Sequence, residues 1–465
     1  MTMNKKGSVA VFLTSILTTM IIVSIVFVQA ASSICGASYA DAVLELSGRS
    51  VLSEFDRRLK DEYGLFAFYG QEDTVASDIR MYASASFSKT YPQEYWGDGG
   101  WGTVDLLKLK LQRTKVNMAA YSLMDVDVFE KQIEDYMGFM LAEKGIDFIR
   151  SMWEKSGEAP AGEGEKSPTG EGDKEPVGAQ GDKEPQRVQG EQKELKNKVE
   201  ISSLPSQGNV RSGIGSNIVA IVEGGLPQMD DILKDGTKDF MVNEYIMSNF
   251  KYYIGDKKVR DTFFYNEVEY ILFGKLKDKE NLDRFKFEFR LMRVPLNFAY
   301  VWSDHKMRTT VLTLAEALGC PAAAGAIALA WATAEAENDV RLLTNGKRVS
   351  LLKDQNTWAL VNLKSAVRTT RIKDDDGEVV DVYATEKKTS KCIDPPKSYG
   401  LSYSDYLRMF LFIEKRETKL MRAMDLIQLN FRKTYYGDFL IKDHYTGFSL
   451  EAVVSGKKYQ YEQKY

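Results

Sequence analysis

The 465-residue sequence predicts an α+β protein hung from one membrane-crossing helix, on three observations. Residues 8–30, SVAVFLTSILTTMIIVSIVFVQA, carry no charged side chain. Behind them helical apolar periods alternate with short period-two runs, the mark of mixed helix and sheet. Between 156 and 198 both patterns stop, so the extracytoplasmic α+β body is expected to be interrupted by a disordered linker.

The elements follow in order. About 20 apolar residues at 1.5 Å rise cross a hydrocarbon core of about 30 Å, so 8–30 is a transmembrane helix. The tail before it, 1–7, carries Lys5 and Lys6, whereas the first charges behind it are Asp41 and Glu45. The positive-inside rule then leaves the N-terminus in the cytoplasm and places the body outside: a single-pass protein of the cell membrane. Val28-Gln29-Ala30 also fits the small-x-small cleavage pattern of a secretory signal, but the apolar run exceeds the usual length of about 7 to 15 residues, which favours retention. Residues 31–64 read as an amphipathic helical stem. Leu44, Gly48, Val51, Leu52, Phe55 and Leu59 share one helical face, and Asp56, Arg57, Lys60 and Asp61 occupy the other. Gly36 and Gly48 are its weak points, and Gly64 is placed to end it near residue 63. The contact face Leu44, Val51, Leu52, Phe55 and Leu59 must be covered by a partner or by the chain's own core, the commoner arrangement for an amphipathic helix.

From 65 to 155 the chain reads as α+β. Leu107, Leu109 and Leu111 alternate with polar residues as a strand, and Asp127-x-x-Glu130 resembles a capping box that opens a helix through about Trp153. The linker, 156–198, repeats GDKEP at 172–176 and 181–185 and has too little apolar surface to offset the entropy of ordering. From 199 to 465 α+β patterning resumes. Val268, Tyr270 and Leu272 suggest a strand, and Asp278 caps a long helix with Pro295 as its kink. Glu316 and Pro321 leave 311–334 too short to cross a membrane, so it reads as two core helices. Asn345-Gly346 marks a turn between strands at 340–342 and 349–351. Ser402-x-x-Asp405 opens a helix to about Arg432, and Phe448, Leu450 and Ala452 alternate in a closing strand.

Chemistry is sparse. A net charge of -4 and pI near 5.7 give no basic face for nucleic acid. Cys320 and Cys392 are candidates for a disulfide that would leave Cys35 beside the membrane; three buried thiols are the alternative. His305 and His444 stand without HExxH or CxxC company and read as surface or loop residues. Gly274-Lys275 and Gly346-Lys347 lack the rest of a phosphate loop. Ser86-x-x-Lys89 and Ser303-x-x-Lys306 lack the Lys-Thr-Gly of penicillin-recognising enzymes. Asp374-Asp375-Asp376-Gly377 lacks the distal Glu of an EF-hand. No catalytic residue, metal, cofactor or small-molecule substrate is indicated, and a non-enzymatic role is expected.

Lys5-Lys6-Gly7-Ser8-Val9-Ala10-Val11 at the head of the apolar helix resembles the start of the TadE and TadG class of pilin-like proteins of tight-adherence (Flp-type) pilus systems. GRSVLSEFDRRLKDEYGLF, YNEVEYILFGK with DKENL after it, and GLSYSDYLRMFL resemble a family of membrane-anchored Gram-positive proteins encoded near such pilus components. The resemblance implies a structural or assembly component whose partners are the lipid bilayer and other envelope or pilus-assembly proteins; a surface adhesin or sensor, or a membrane-anchored enzyme, are the alternatives. It also implies processing between Gly7 and Ser8. In the prepilin pattern, however, the fifth mature residue is Glu, and here that position is Phe12, which removes the usual assembly contact and puts peptidase processing in question.

Overall fold

The computed structural model describes residues 5–87, 107, 109–155, 203–206, 229–255, 262–361, 371–373, 379–381 and 392–465. The expected linker, the 374–377 acidic run and Lys89 lie outside them. The described helices are α1 (Lys5–Leu52), α2 (Arg57–Tyr63), α3 (Glu72–Phe87), α4 (Val126–Lys155), α5 (Met229–Asn249), α6 (Glu267–Phe273), α7 (Asp278–Ser303), α8 (His305–Ala317), α9 (Ala324–Thr344), α10 (Tyr403–Ile413) and α11 (Arg416–Thr434). The described strands are β1 (Phe68–Tyr69), β2 (Leu111–Asn117), β3 (Arg371–Lys373), β4 (Val379–Asp381), β5 (His444–Tyr445), β6 (Gly447–Val454) and β7 (Lys457–Lys464). The architecture is thus mixed helix and sheet, with an N-terminal helix long and apolar enough to cross a membrane. Two compact units form, one of Met1–Val128 with Lys442–Tyr465 and one of Phe129–Ile441, so the last strands fold with the first segment and not with the region that precedes them.

In the first unit β2, β6 and β7 make an antiparallel sheet in that order, with Val116 opposite Leu450 and Leu450 opposite Tyr461. One face is apolar because Phe448, Leu450, Ala452 and Val454 alternate along β6, as the closing-strand reading expects. Against it lie α3 and the second half of α1. Val51, Val75 and Ile79 meet Val116, Phe448 and Leu450, and Val43, Leu44, Ala83 and Phe87 meet Ala452 and Val454. Gly36 and Gly48 do not weaken α1, which is unbroken through both. At Gly48 a Cβ would fall 2.1 Å from Oε1 of Gln463, whose Nε2 donates to the Glu45 carbonyl at 3.0 Å; the missing side chain admits the strand.

The stem does not run to residue 63 as one helix. It stops at Leu52, and α2 restarts after Asp56, whose carboxylate accepts from the Arg58 and Leu59 amides at 2.8 and 3.2 Å. Asp56 therefore acts as an N-cap, a role that short acceptors fill well, and not as part of a wet helical face. Gly64 ends α2 as expected. The expected strand at 107–111 begins only at Leu111. The capping residue of α4 is Asp125, which accepts from the Asp127 and Val128 amides, in place of Asp127.

The second unit is mainly helical, with α7 packed along α9 and α8 beside both. Val301, Val311, Ala328, Trp331, Trp358 and Leu360 form one of its cores. The paired core helices expected at 311–334 are present, separated by a 3-10 turn at Pro321–Ala323. Three expectations fail here. Residues 267–273 form α6, not a strand; all seven are buried, so two-residue alternation carried no information about a wet face. Residues 340–342 lie inside α9, and Asn345-Gly346 is its stop: Gly346 has φ 78, and the Gly346 and Lys347 amides return to the Leu343 and Leu342 carbonyls at 3.0 and 2.9 Å. The helix opened by Ser402 and Asp405, which form a capping box, ends at Ile413 and restarts at Arg416.

The fold makes the stem face part of its own core. Truncating Leu44 to Ala should cost about 2 to 5 kcal/mol, the range for a buried Leu, and Leu46 to Ala, on the exposed side, little. Chemical denaturation of both variants checks this; equal losses would mean the face is misplaced.

Candidate functional site

From Ala10 to Ala30 every side chain of α1 is exposed, Phe12 and Phe27 among the most open. Thr14, Thr18 and Thr19 donate their hydroxyls to the Val11, Thr14 and Ser15 carbonyls of the same helix at 2.7 to 2.9 Å. Their polar groups are thereby satisfied internally, as a hydrocarbon environment demands. One-sided burial starts at Gly36, where Leu107 and Leu109 lie alongside. Gly7 and Ser8 are within the helix, which starts at Lys5.

The stem residues divide by depth. Leu44, Val51 and Leu59 are buried; Leu52 and Phe55 are partly buried. Phe55 lies against Phe66 and Tyr465, with the Lys60 ammonium about 5 Å above the Phe55 and Phe66 rings. The Tyr465 hydroxyl donates to the Leu52 carbonyl, which fixes the helix end.

The cysteine pair does not form. Cys35, Cys320 and Cys392 are all free thiols. Cys320 precedes α9, while Ile393 beside Cys392 exchanges two hydrogen bonds of 2.8 Å with the side chain of Asn338. Ala324 and Asn338 are separated by about 20 Å of helix, far above the roughly 7 Å Cα limit for a disulfide. His305 is exposed, but His444 is buried in β5, where its carbonyl accepts from the Leu123 amide and its ring lies over Tyr69. Among the described residues no cluster of His, Cys, Asp or Glu has the makeup of a metal site.

Sequence reasoning missed two buried polar lattices in the second unit. In the first, Lys353 Nζ donates to Glu335 Oε1 and Asp339 Oδ1, both at 2.7 Å, and to the Thr357 carbonyl at 2.9 Å. Arg293 donates to Asp339 Oδ2 at 3.0 Å and to the Leu351 carbonyl at 2.5 Å, and Glu335 accepts the Ala359 and Leu360 amides at 2.9 Å. The sequence signal was Glu335 and Asp339, one helical turn apart among alanines. These buried charges are occupied by one another and by backbone, which suits a structural lattice better than an acid-base pair.

The second lattice surrounds α6. Asp278 accepts the Asn266 amide at 2.8 Å, and Glu267 accepts the Lys251 amide at 2.9 Å. Arg422 donates to the Ile271 and Leu272 carbonyls at 2.8 and 2.7 Å. Asp425 accepts from the Ser206 amide, the Ser206 hydroxyl and the Tyr270 hydroxyl at 2.9, 2.5 and 2.9 Å; burial pushes it up to about 6. Glu269 accepts from the Tyr403 hydroxyl at 2.6 Å and the Tyr253 amide at 3.0 Å, but its Oε2 has no partner. Burial pushes Glu269 up to about 7 from an ordinary 4.5.

An acid raised in this way holds more protons folded than unfolded between those two values. Its contribution is therefore best at low pH and declines as pH rises toward 7. Glu269→Gln removes the titration, so the stability of the variant relative to the natural protein should grow from pH 4 to pH 8 by on the order of 3 kcal/mol. Asp425 titrates alike in both proteins and cancels. Urea midpoints across pH measure the difference, and parallel curves would show that Glu269 is ionised in the fold.

Neither a curated protein nor a solved structure matches the chain. A family model described as "Family of unknown function (DUF5702)" matches residues 185–456, more than half of the sequence. The match takes in both buried lattices and β6 but leaves out α1. The chain thus belongs to the DUF5702 family of unknown function.

Proposed function

We propose that this protein is a membrane-anchored, extracytoplasmic structural or assembly component that acts by contact with other envelope proteins, beside a tight-adherence-type pilus or secretion machine. The observation that carries the reading is the change along α1: exposed on all sides from Ala10 to Ala30, then buried on one face from Gly36 on. A solvated helix with that first half would leave a large apolar surface in water, which folded monomers rarely do. Lipid is the medium that suits it, and Lys5 and Lys6 against Asp41 and Glu45 set the body outside the cytoplasm. The N-terminal resemblance to TadE and TadG proteins supplies the pilus association. Because Leu44 and Val51 are spent on the chain's own core, partner contacts fall to exposed stem residues such as Ile34 and Leu46.

A reporter active only outside the cytoplasm, fused after Tyr465, should be active, and the protein should resist carbonate extraction. A photo-crosslinking residue at Leu46 should capture another envelope protein in intact cells. Cytoplasmic reporter activity would overturn the topology, and a crosslinker that captures nothing would overturn the assembly role.

A further inference from the structure

The β6–β7 turn, Ser455-Gly456, is joined to the chain ahead of β2. The Ser455 amide donates to the Lys110 carbonyl at 2.9 Å, the Lys110 amide returns to Ser455 Oγ at 3.1 Å, and the Gly456 amide reaches Gln112 Oε1 at 3.2 Å. Lys110, Lys457 and Lys458, all exposed, are thereby gathered at one tip. That tip abuts α1 at a defined height: Lys457 Nζ lies 3.5 Å from Ser33 Oγ, and the Tyr459 hydroxyl 3.5 Å from the Ala37 carbonyl. Ser33 is three residues past Ala30, about 4.5 Å along the helix. The polar layer of a bilayer leaflet extends about 5 to 7 Å beyond the hydrocarbon, so the tip stands level with it.

Among the described residues the charge there is one-sided. Between Gly7 and Ala40 the sequence has no charged residue. Asp41, the first acid behind the span, is eight residues beyond Ser33, about 12 Å, and is engaged by the Tyr461 hydroxyl. Glu451 sits three pairs up the hairpin, about 10 Å, where it accepts from Gln460 Nε2 at 3.1 Å. Among the described residues no carboxylate pairs with any of the three lysines.

We propose that this hairpin tip, through Lys110, Lys457 and Lys458, docks on the anionic lipid headgroups of the leaflet from which α1 emerges. The proposal rests on α1 being a membrane span. It gives the first unit a second foothold on the bilayer, and with it a fixed tilt of the sheet on the surface.

The full chain in nanodiscs of phosphatidylcholine, alone or mixed with phosphatidylglycerol, tests it by hydrogen-exchange mass spectrometry of the peptide spanning the turn. Exchange at the turn should slow by roughly fivefold or more in the anionic discs, recover in high salt, stay slow in the triple Lys→Arg variant and be as fast as in phosphatidylcholine discs in the triple Lys→Gln variant. Unchanged exchange in α3, which packs on the same sheet, checks that the variants are folded. Equal exchange in both discs, or protection by inorganic phosphate in phosphatidylcholine discs, overturns the docking surface while leaving the anchor intact. A chain that fails to enter either disc overturns the anchor and the docking surface together.

Discussion

The second unit depends on burying a seven-residue helix on every side. Any helix leaves four amides and four carbonyls unmet at its ends, and all seven residues of α6 are buried. Each orphan would cost about 1 to 3 kcal/mol, so the neighbours are chosen to supply partners. The Asp278 carboxylate at the head of α7 accepts the Asn266 amide and the Lys251 carbonyl accepts the Val268 amide at the N-terminal end, and Arg422 of α11 meets the carbonyls at the other. Arg422 also sets a cation at the negative end of the helix dipole. The positions of α7 and α11 are therefore linked through one short element, and a change in any of the three has to be absorbed by the other two.

The first unit relies on a different economy. Its seam between α1, α3 and the sheet is almost wholly apolar, with small residues such as Ala40, Ala83 and Ala452 letting helix and strand approach. Tyr459, Tyr461 and Tyr465 form its rim, each sending a hydroxyl to α1. The second half of α1 is thereby held along its length, and the helix that leaves this seam is directed by the sheet, not by a flexible joint.

The sequence was most readable where one physical signal had no rival. The long apolar run, the alternation of Phe448, Leu450 and Ala452, the Ser402-Asp405 cap and the break at Pro321 all stand in the structure as read. It misled where one signal serves two structures. Asn345-Gly346 provides a left-handed backbone equally useful to a hairpin and to a helix stop, and only the packing of α9 decides. Val268, Tyr270 and Leu272 alternate with residues that are buried too, Glu267 and Glu269 among them, which no local pattern would place inside. Their partners, Asn430 and Tyr403, lie 163 and 134 residues away, so the lattice was invisible until the chain was folded.

The pairing of β2 with β6 sets the order in which the molecule can be made. Ser449 meets Asn117 at a sequence separation of 332, and at the usual pace of synthesis β2 waits roughly 20 to 70 seconds for its neighbour. β2 is thus paired late, after the helical unit between the two halves of the first unit has had time to form. A ribosome stalled short of Gly447 would hold a finished middle and an open seam, with Leu44, Val51 and the apolar face of α3 uncovered. Such a nascent chain has its natural place in the hands of a chaperone.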